Sequence, residues 1–263
     1  MITLRAMATR STGARRLTNG SLAQRTVDRL REAIFDGSFP PGSHLRELRI
    51  ARELGVSQST VREALQQLEA AGLVTRHPNV GATVTRLTPK EVRERVQLRA
   101  LLEVQAAQEA SARMGEAEFK ELDRRLTALG SAIERDSYYE AARADLEFHR
   151  WVWECSGNET LCRVLDRLTV PLLAFVSVLR ANGLQHLADV TAAHEPLVAA
   201  LRAGCQALIQ EAFTRGATSS YEEFMELTPS LRRAQAFGMM EHPLSAPASA
   251  APDPVTPASG HAG

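Results

Sequence analysis

The stretch Ala51-Arg52-Glu53-Leu54-Gly55-Val56-Ser57-Gln58-Ser59-Thr60-Val61-Arg62-Glu63-Ala64-Leu65 reads as a short helix, a tight turn and a second helix. Gly55 gives the turn a permissive backbone. Ser57 can cap the second helix through its side-chain oxygen. Val61, Leu65 and Leu68 then recur at helical spacing as an apolar stripe. The opposite face carries Gln58, Ser59, Thr60 and Arg62, short polar or forked donors of the kind that suit an element lying in a DNA major groove.

Working outward, Leu73-Val74-Thr75-Arg76 and Ala82-Thr83-Val84-Thr85 are β-prone runs joined through Asn79-Val80-Gly81, a small hairpin or wing. Upstream, Leu22–Phe35 reads as a helix, opened by a capping-box pattern from Ser21 and closed by Asp36-Gly37. A helix, a helix-turn-helix and a wing together predict a winged helix-turn-helix over residues 21–87. Asn79 and Gly81 in the wing are placed against the DNA backbone or minor groove.

Charge supports this placement. The 263 residues sum to zero net charge. Residues 1–86, however, hold thirteen arginines, no lysine and seven acids, a surplus of six that the remainder cancels. A basic front on an acidic body fits a DNA-contacting module fused to a second domain. Arginine is suited to forked contacts with guanine edges and phosphates, although a compositional bias toward arginine would give the same count.

Thr88-Pro89-Lys90-Glu91 is a second capping box, with Pro at the first helical position, and marks a short domain junction. Residues 88–235 read almost entirely as helix. The expected helices include Tyr138–Cys155, Glu159–Leu179, Gln185–Ala203, Cys205–Arg215 and Tyr221–Arg233. The fold class is therefore mainly α, an N-terminal winged helix-turn-helix followed by an all-α antiparallel bundle. Residues 1–20 are expected to be a loose leader and 236–263 a Pro- and Ala-rich disordered tail. Cys155, Cys162 and Cys205 form no CxxC pair and suggest a reducing cytoplasm, each as a small buried apolar side chain. No apolar run is long enough for a membrane span, and no secretory signal is evident.

The bundle carries two constellations. Asp145 and His149 stand four apart, so they share a helix face, and His194 lies on a later helix. A carboxylate and imidazoles from different helices can form a metal cage, but such i, i+4 pairs are also common on solvated faces. Arg99 and Glu103 are another i, i+4 pair: either a surface ion pair, or an arginine turned inward to bind a carboxylate ligand. Trp151 and Trp153 cannot share a face, so one should be core and the other should sit at an interface.

These residues resemble a GntR-type transcription regulator of the FadR subfamily. Leu54 to Leu65, and Leu68-Glu69-Ala70-Ala71-Gly72-Leu73-Val74 followed by Gly81, are similar to its helix-turn-helix signature. Arg99-Ala100-Leu101-Leu102-Glu103, Asp145-Leu146-Glu147-Phe148-His149 and Ser156-Gly157-Asn158 resemble the effector domain called FCD. The resemblance implies a cytoplasmic homodimer on a palindromic double-stranded DNA operator, a repressor released by a small organic acid bound in the bundle. It also implies a divalent metal ion, Zn-like, held by one Asp and three His. Asp145, His149 and His194 match the first three ligands, with Arg99 beside them in effector binding. Gly216 stands where the fourth belongs, so a metal on three ligands and a pocket without metal both remain open. Gln58 departs from the family's usual arginine, which shifts the expected base from guanine to adenine. The rival readings are a metal-dependent enzyme acting on small carboxylates and a DNA-architectural dimer without effector.

Overall fold

The computed structural model describes residues 21–77, 81–135, 137–181, 189–219 and 221. The front segment contains α1 (Leu22–Phe35), β1 (His44–Leu45), α2 (Glu47–Leu54), α3 (Gln58–Ala70), β2 (Val74–His77) and β3 (Gly81–Val84). Ser21 caps α1 by accepting from the Gln24 N–H at 3.2 Å. The reciprocal half of that capping box does not form, because the Gln24 amide turns to Asp28 at 3.0 Å. Gly55 adopts the left-handed conformation, φ 66°, that ends α2. Ser57 then caps α3, accepting from the Thr60 N–H at 3.1 Å.

The wing is a three-stranded antiparallel sheet in the order β1-β3-β2, not a two-stranded hairpin. The unforeseen strand β1 pairs Leu45 with Ala82 and His44 with Thr83. Two residues between Pro41-Gly42 and a helix start give no alternation to read, yet Leu45 is fully buried. The pairing fixes Gly81. Its φ is +114°, and a Cβ there would lie 2.5 Å from the Leu45 carbonyl oxygen.

The second segment contains α4 (Pro89–Ser111), α5 (Glu116–Glu134), α6 (Tyr138–Cys155), α7 (Glu159–Ala181) and α8 (Asp189–Ala203), followed by helical residues 206–219 (α9). The Thr88 capping box is complete: Thr88 Oγ1 accepts from the Glu91 N–H at 3.2 Å and Glu91 Oε2 accepts from the Thr88 N–H at 2.8 Å. The helix α7 outruns its expected end at Leu179, and α9 outruns Arg215. Residues 185–188, the 222–233 part of the last expected helix, the leader and the tail lie outside the described residues. Trp153 is core, whereas Trp151 is half-buried, donating from Nε1 to the Glu118 carbonyl at 3.0 Å beneath the Arg125 guanidinium. Cys205 is exposed, contrary to expectation, because it sits between α8 and α9 at Gly204 (φ 63°); Cys155 and Cys162 are half-buried.

The two segments share one apolar core. Leu30, Ile34, Phe35, Leu65 and Leu73 of the front segment cluster with Leu146, Trp153, Leu161, Leu165, Val170 and Leu173 of α6 and α7. Phe35 meets Tyr139 edge-to-face at 5.8 Å. Gly72, at the turn that follows α3, lies against Pro171 inside α7, where a Cβ would come 3.1 Å from Pro171 Cγ. Proline has no N–H, so the Arg167 carbonyl four residues earlier loses its helical donor. Arg95 on α4 supplies one from Nη1 at 3.2 Å.

Gly81→Ala adds a Cβ at a strained φ and against backbone that cannot yield. It should destabilise the protein by at least about 2 kcal/mol, read as a clear drop in thermal and urea midpoints. Gly130, whose Cβ position is open, serves as the control: Gly130→Ala should leave the midpoints unchanged or raised.

Candidate functional site

The helix α3 buries Val61, Ala64, Leu65 and Leu68 and exposes Ser57, Gln58, Ser59 and Arg62, with Thr60 half-buried at the edge. The exposed side chains are ordered. Ser57 Oγ lies 2.7 Å from Ser59 Oγ and 2.8 Å from Thr60 Oγ1. Gln58 Nε2 donates to Glu47 Oε2 at 2.9 Å. Arg62 donates to the same carboxylate, from Nη2 at 2.9 Å and from Nε at 3.4 Å. The hydrogen bond from Arg62 holds the Glu47 carboxyl below its ordinary range, against the opposing effect of burial. Sequence reading missed Glu47, because nothing in the pattern ties the first turn of α2 to residues eleven and fifteen positions later. Of the wing residues, Asn79 lies outside the described residues. Gly81 is buried under Leu45, so it shapes the sheet and does not present a contact surface.

The second cluster lies inside the bundle. Asp145 and His149 come from α6, His194 from α8, and Arg99 and Glu103 from α4. All five are buried. The surface-pair reading of Arg99 and Glu103 is therefore corrected: they are 3% and 1% exposed, 3.0 Å apart. Ala106, Ala107 and Ala110 are fully buried on α4, and Arg99 and Glu103 share their side of the helix.

Within the cluster, His194 Nε2 lies 2.8 Å and His149 Nε2 3.9 Å from Asp145 Oδ1. The other face of the His149 ring presents Nδ1 to Glu103 Oε1 at 3.4 Å. The ring's opposite nitrogen, Nε2, is the one on the Asp145 side. Arg99 Nη2 approaches the same Nε2 at 3.4 Å, and Arg99 Nη1 donates to Tyr221 Oη at 3.4 Å. Burial pushes the His149 imidazole down to about 4, so it is neutral near pH 7 and keeps a lone pair. Burial alone would raise the Asp145 carboxyl, but contact with His194 and the neighbouring charges hold it well below the usual carboxylate range. Burial opposes the charge on Arg99, yet Glu103 keeps its guanidinium protonated.

One ligand atom from each of Asp145, His149 and His194 falls within 4.8 Å of the others. The residues present fit a divalent cation on three ligands: one ionised carboxylate, a neutral imidazole, and a second imidazole already directed at that carboxylate. Gly216 of α9 does line the adjoining cavity but offers no donor, and a side chain there would meet Leu197 Cδ2 at 3.1 Å. The cavity has a volume of about 30 Å³, room for a single water or ion.

Removing Arg99 leaves the Glu103 carboxylate without its partner in a buried interior. Arg99→Ala should cost about 3–5 kcal/mol, seen in denaturant unfolding at pH 7. The Arg99→Met, Glu103→Leu double variant should recover most of that loss; equal destabilisation by both variants would refute the burial account.

The chain resembles known proteins along most of its length. Residues 22–84 match the model described as "Bacterial regulatory proteins, gntR family", and residues 94–216 match the FCD domain. It is 32% identical to the "Probable D-xylose utilization operon transcriptional repressor" of Paenarthrobacter nicotinovorans, over 76% of this chain and 88% of that protein. It is 31% identical to the gluconate operon transcriptional repressor of Bacillus subtilis, over 61% of this chain and 62% of that protein. Among solved structures, McbR/YncC of E. coli superposes with a TM-score of 0.63 at 22% identity, covering 82% of this chain and 99% of that one. At that identity the superposition speaks to fold alone. Both relatives are named as transcriptional repressors, which favours the regulator reading over the enzyme one.

Proposed function

The chain belongs to the gntR family of bacterial transcription regulators, with an FCD effector domain behind its winged helix, and from that premise we propose a cytoplasmic homodimeric repressor that leaves its operator when a small organic acid enters the bundle. The observation that carries the DNA-binding half is the exposed polar face of α3, with Arg62 and Gln58 held side by side above a buried apolar face. In this reading Arg62 and Gln58 read base edges, Ser59 and Thr60 line the groove, and Ser57 caps the helix and donates to phosphate. The wing, including residue 79, touches the backbone beside it. Among the described residues no helix is long and apolar enough to cross a membrane.

For the effector half, Asp145, His149 and His194 would hold a divalent ion, and a bound ion would supply positive charge and an open coordination position for a carboxylate. Arg99 would orient the same carboxylate through its fork, giving up its contact with His149. Glu103 balances the arginine. Because the cavity holds only a water or an ion, an organic acid must open it, and it can shift the protein only by binding the opened arrangement more tightly than the closed one.

Selection from a random duplex pool should yield a palindromic site, and Arg62→Ala should weaken its binding by about 1–3 kcal/mol. Operator binding unchanged by Arg62→Ala would remove the base-reading role. Zinc or manganese should raise the melting temperature of chelator-stripped protein, with the rise absent in Asp145→Asn. If no divalent ion and no small carboxylate moves the melting temperature, the architectural dimer becomes the better account.

A further inference from the structure

Glu47 is the one carboxylate among the described residues that both Gln58 and Arg62 bond, and its side chain is half-buried, 15% exposed. It sits on α2, at the start of the helix that precedes the turn, so it belongs to a different element from the residues it holds. An acid at a face meant to meet phosphates is unfavourable by charge alone. Its geometry has a specific consequence for hydrogen-bond faces.

An ionised carboxylate only accepts. It therefore fixes which end of the Gln58 amide faces it, the NH₂, and turns the carbonyl oxygen the other way. That leaves Oε1 and the second amide hydrogen together on the outward edge, the acceptor–donor pair that matches adenine N6 and N7. Arg62 meets the carboxylate with Nε and Nη2, which leaves Nη1 and the outer hydrogen of Nη2 as a second forked edge. That edge matches guanine O6 and N7. Without Glu47 the amide can flip to present donor and acceptor in reverse, and the guanidinium can turn its Nε edge outward. Each of these alternative states reads a different base or none.

We propose that Glu47 is a specificity-determining positioning residue, a carboxylate that pre-sets the hydrogen-bond faces of Gln58 and Arg62 before the recognition helix meets DNA. This rests on the reading of Gln58 and Arg62 as base readers given above. Pre-setting removes ordering that binding would otherwise have to supply, and it does so for the matched sequence only. Phosphate contacts do not depend on which amide edge faces outward, so Glu47 sharpens discrimination without raising affinity for duplex in general.

The test uses full-length protein, the duplex enriched from a random pool, every single-base variant of it, and an unrelated duplex of equal length. Glu47→Ala should reduce discrimination by roughly tenfold at the bases facing residues 58 and 62. Binding to the unrelated duplex should stay equal or become tighter, since a negative charge is gone. Glu47→Gln, which keeps the shape and one acceptor, should fall between wild type and Glu47→Ala, and serves alone if the alanine variant does not fold. Glu47→Ala combined with Arg62→Ala should discriminate no worse at the residue-62 base than Arg62→Ala does.

If Gln58→Ala and Arg62→Ala relax base preference while Glu47→Gln and Glu47→Ala leave it sharp, the positioning role is overturned and base reading stands. If Gln58→Ala and Arg62→Ala change no preference, base reading fails and the positioning role fails with it. Loss confined to a third base would show Glu47 reading DNA itself, which also overturns the proposal. Equal weakening on matched and unrelated duplexes would show damage to the fold alone and count against it.

Discussion

The structure depends on an apolar core that does not stop at the junction between the DNA-binding segment and the bundle. Phe35 of α1 stacks its edge on Tyr139 of α6, and Leu30, Leu65 and Leu73 cluster with Trp153, Leu165 and Leu173. Side chains in such a core interdigitate at crystal-like density, so neither segment can shift without disturbing the other. The winged helix is thereby built onto α6 and α7 and does not hang from a linker. The completed cap at Thr88 starts α4 directly after the wing and gives the connection no slack.

Inside the bundle a second constraint operates. Arg99, Glu103, Asp145, His149 and His194 bring opposite charges and two imidazole rings together in the buried interior. Charges there persist only when each has a partner. Arg99 answers Glu103, Glu103 lies 3.4 Å from His149, and Asp145 lies against His194. The same chain of contacts that makes the cluster tolerable also aims lone pairs and a carboxylate at one point, which is what makes a structural necessity usable as a ligand site.

Periodicity was enough to read α3, the wing strands and the span of α6, because their patterns are local and their caps carry side-chain oxygens. It failed at β1, where two residues are too few to alternate, and at Cys205, where a turn at Gly204 exposes a residue type that is usually buried. For the site, the spacing of Asp145 and His149 placed them on one face, His194 joined them as a second imidazole from a later helix, and a family resemblance led to Gly216. Depth was not legible. Nothing in an arginine and a glutamate four apart says that Ala106 and Ala107 will draw their face of α4 inward. Glu47 was missed because its partners are set by the angle between α2 and α3, which Gly55 creates and no one-dimensional pattern records.

One broken rung has reach beyond its helix. Pro171 withholds a hydrogen-bond donor from Arg167, and the guanidinium of Arg95 fills the gap from α4. The ladder of α7 is therefore interrupted at that point. Leu173 and Val176 on this helix wall the polar cavity, while Pro171 itself presses on Gly72, directly behind the recognition helix. The missing rung of α7 thus lies between the residues that wall the cavity and the turn that follows α3, and a side chain of α4 closes it.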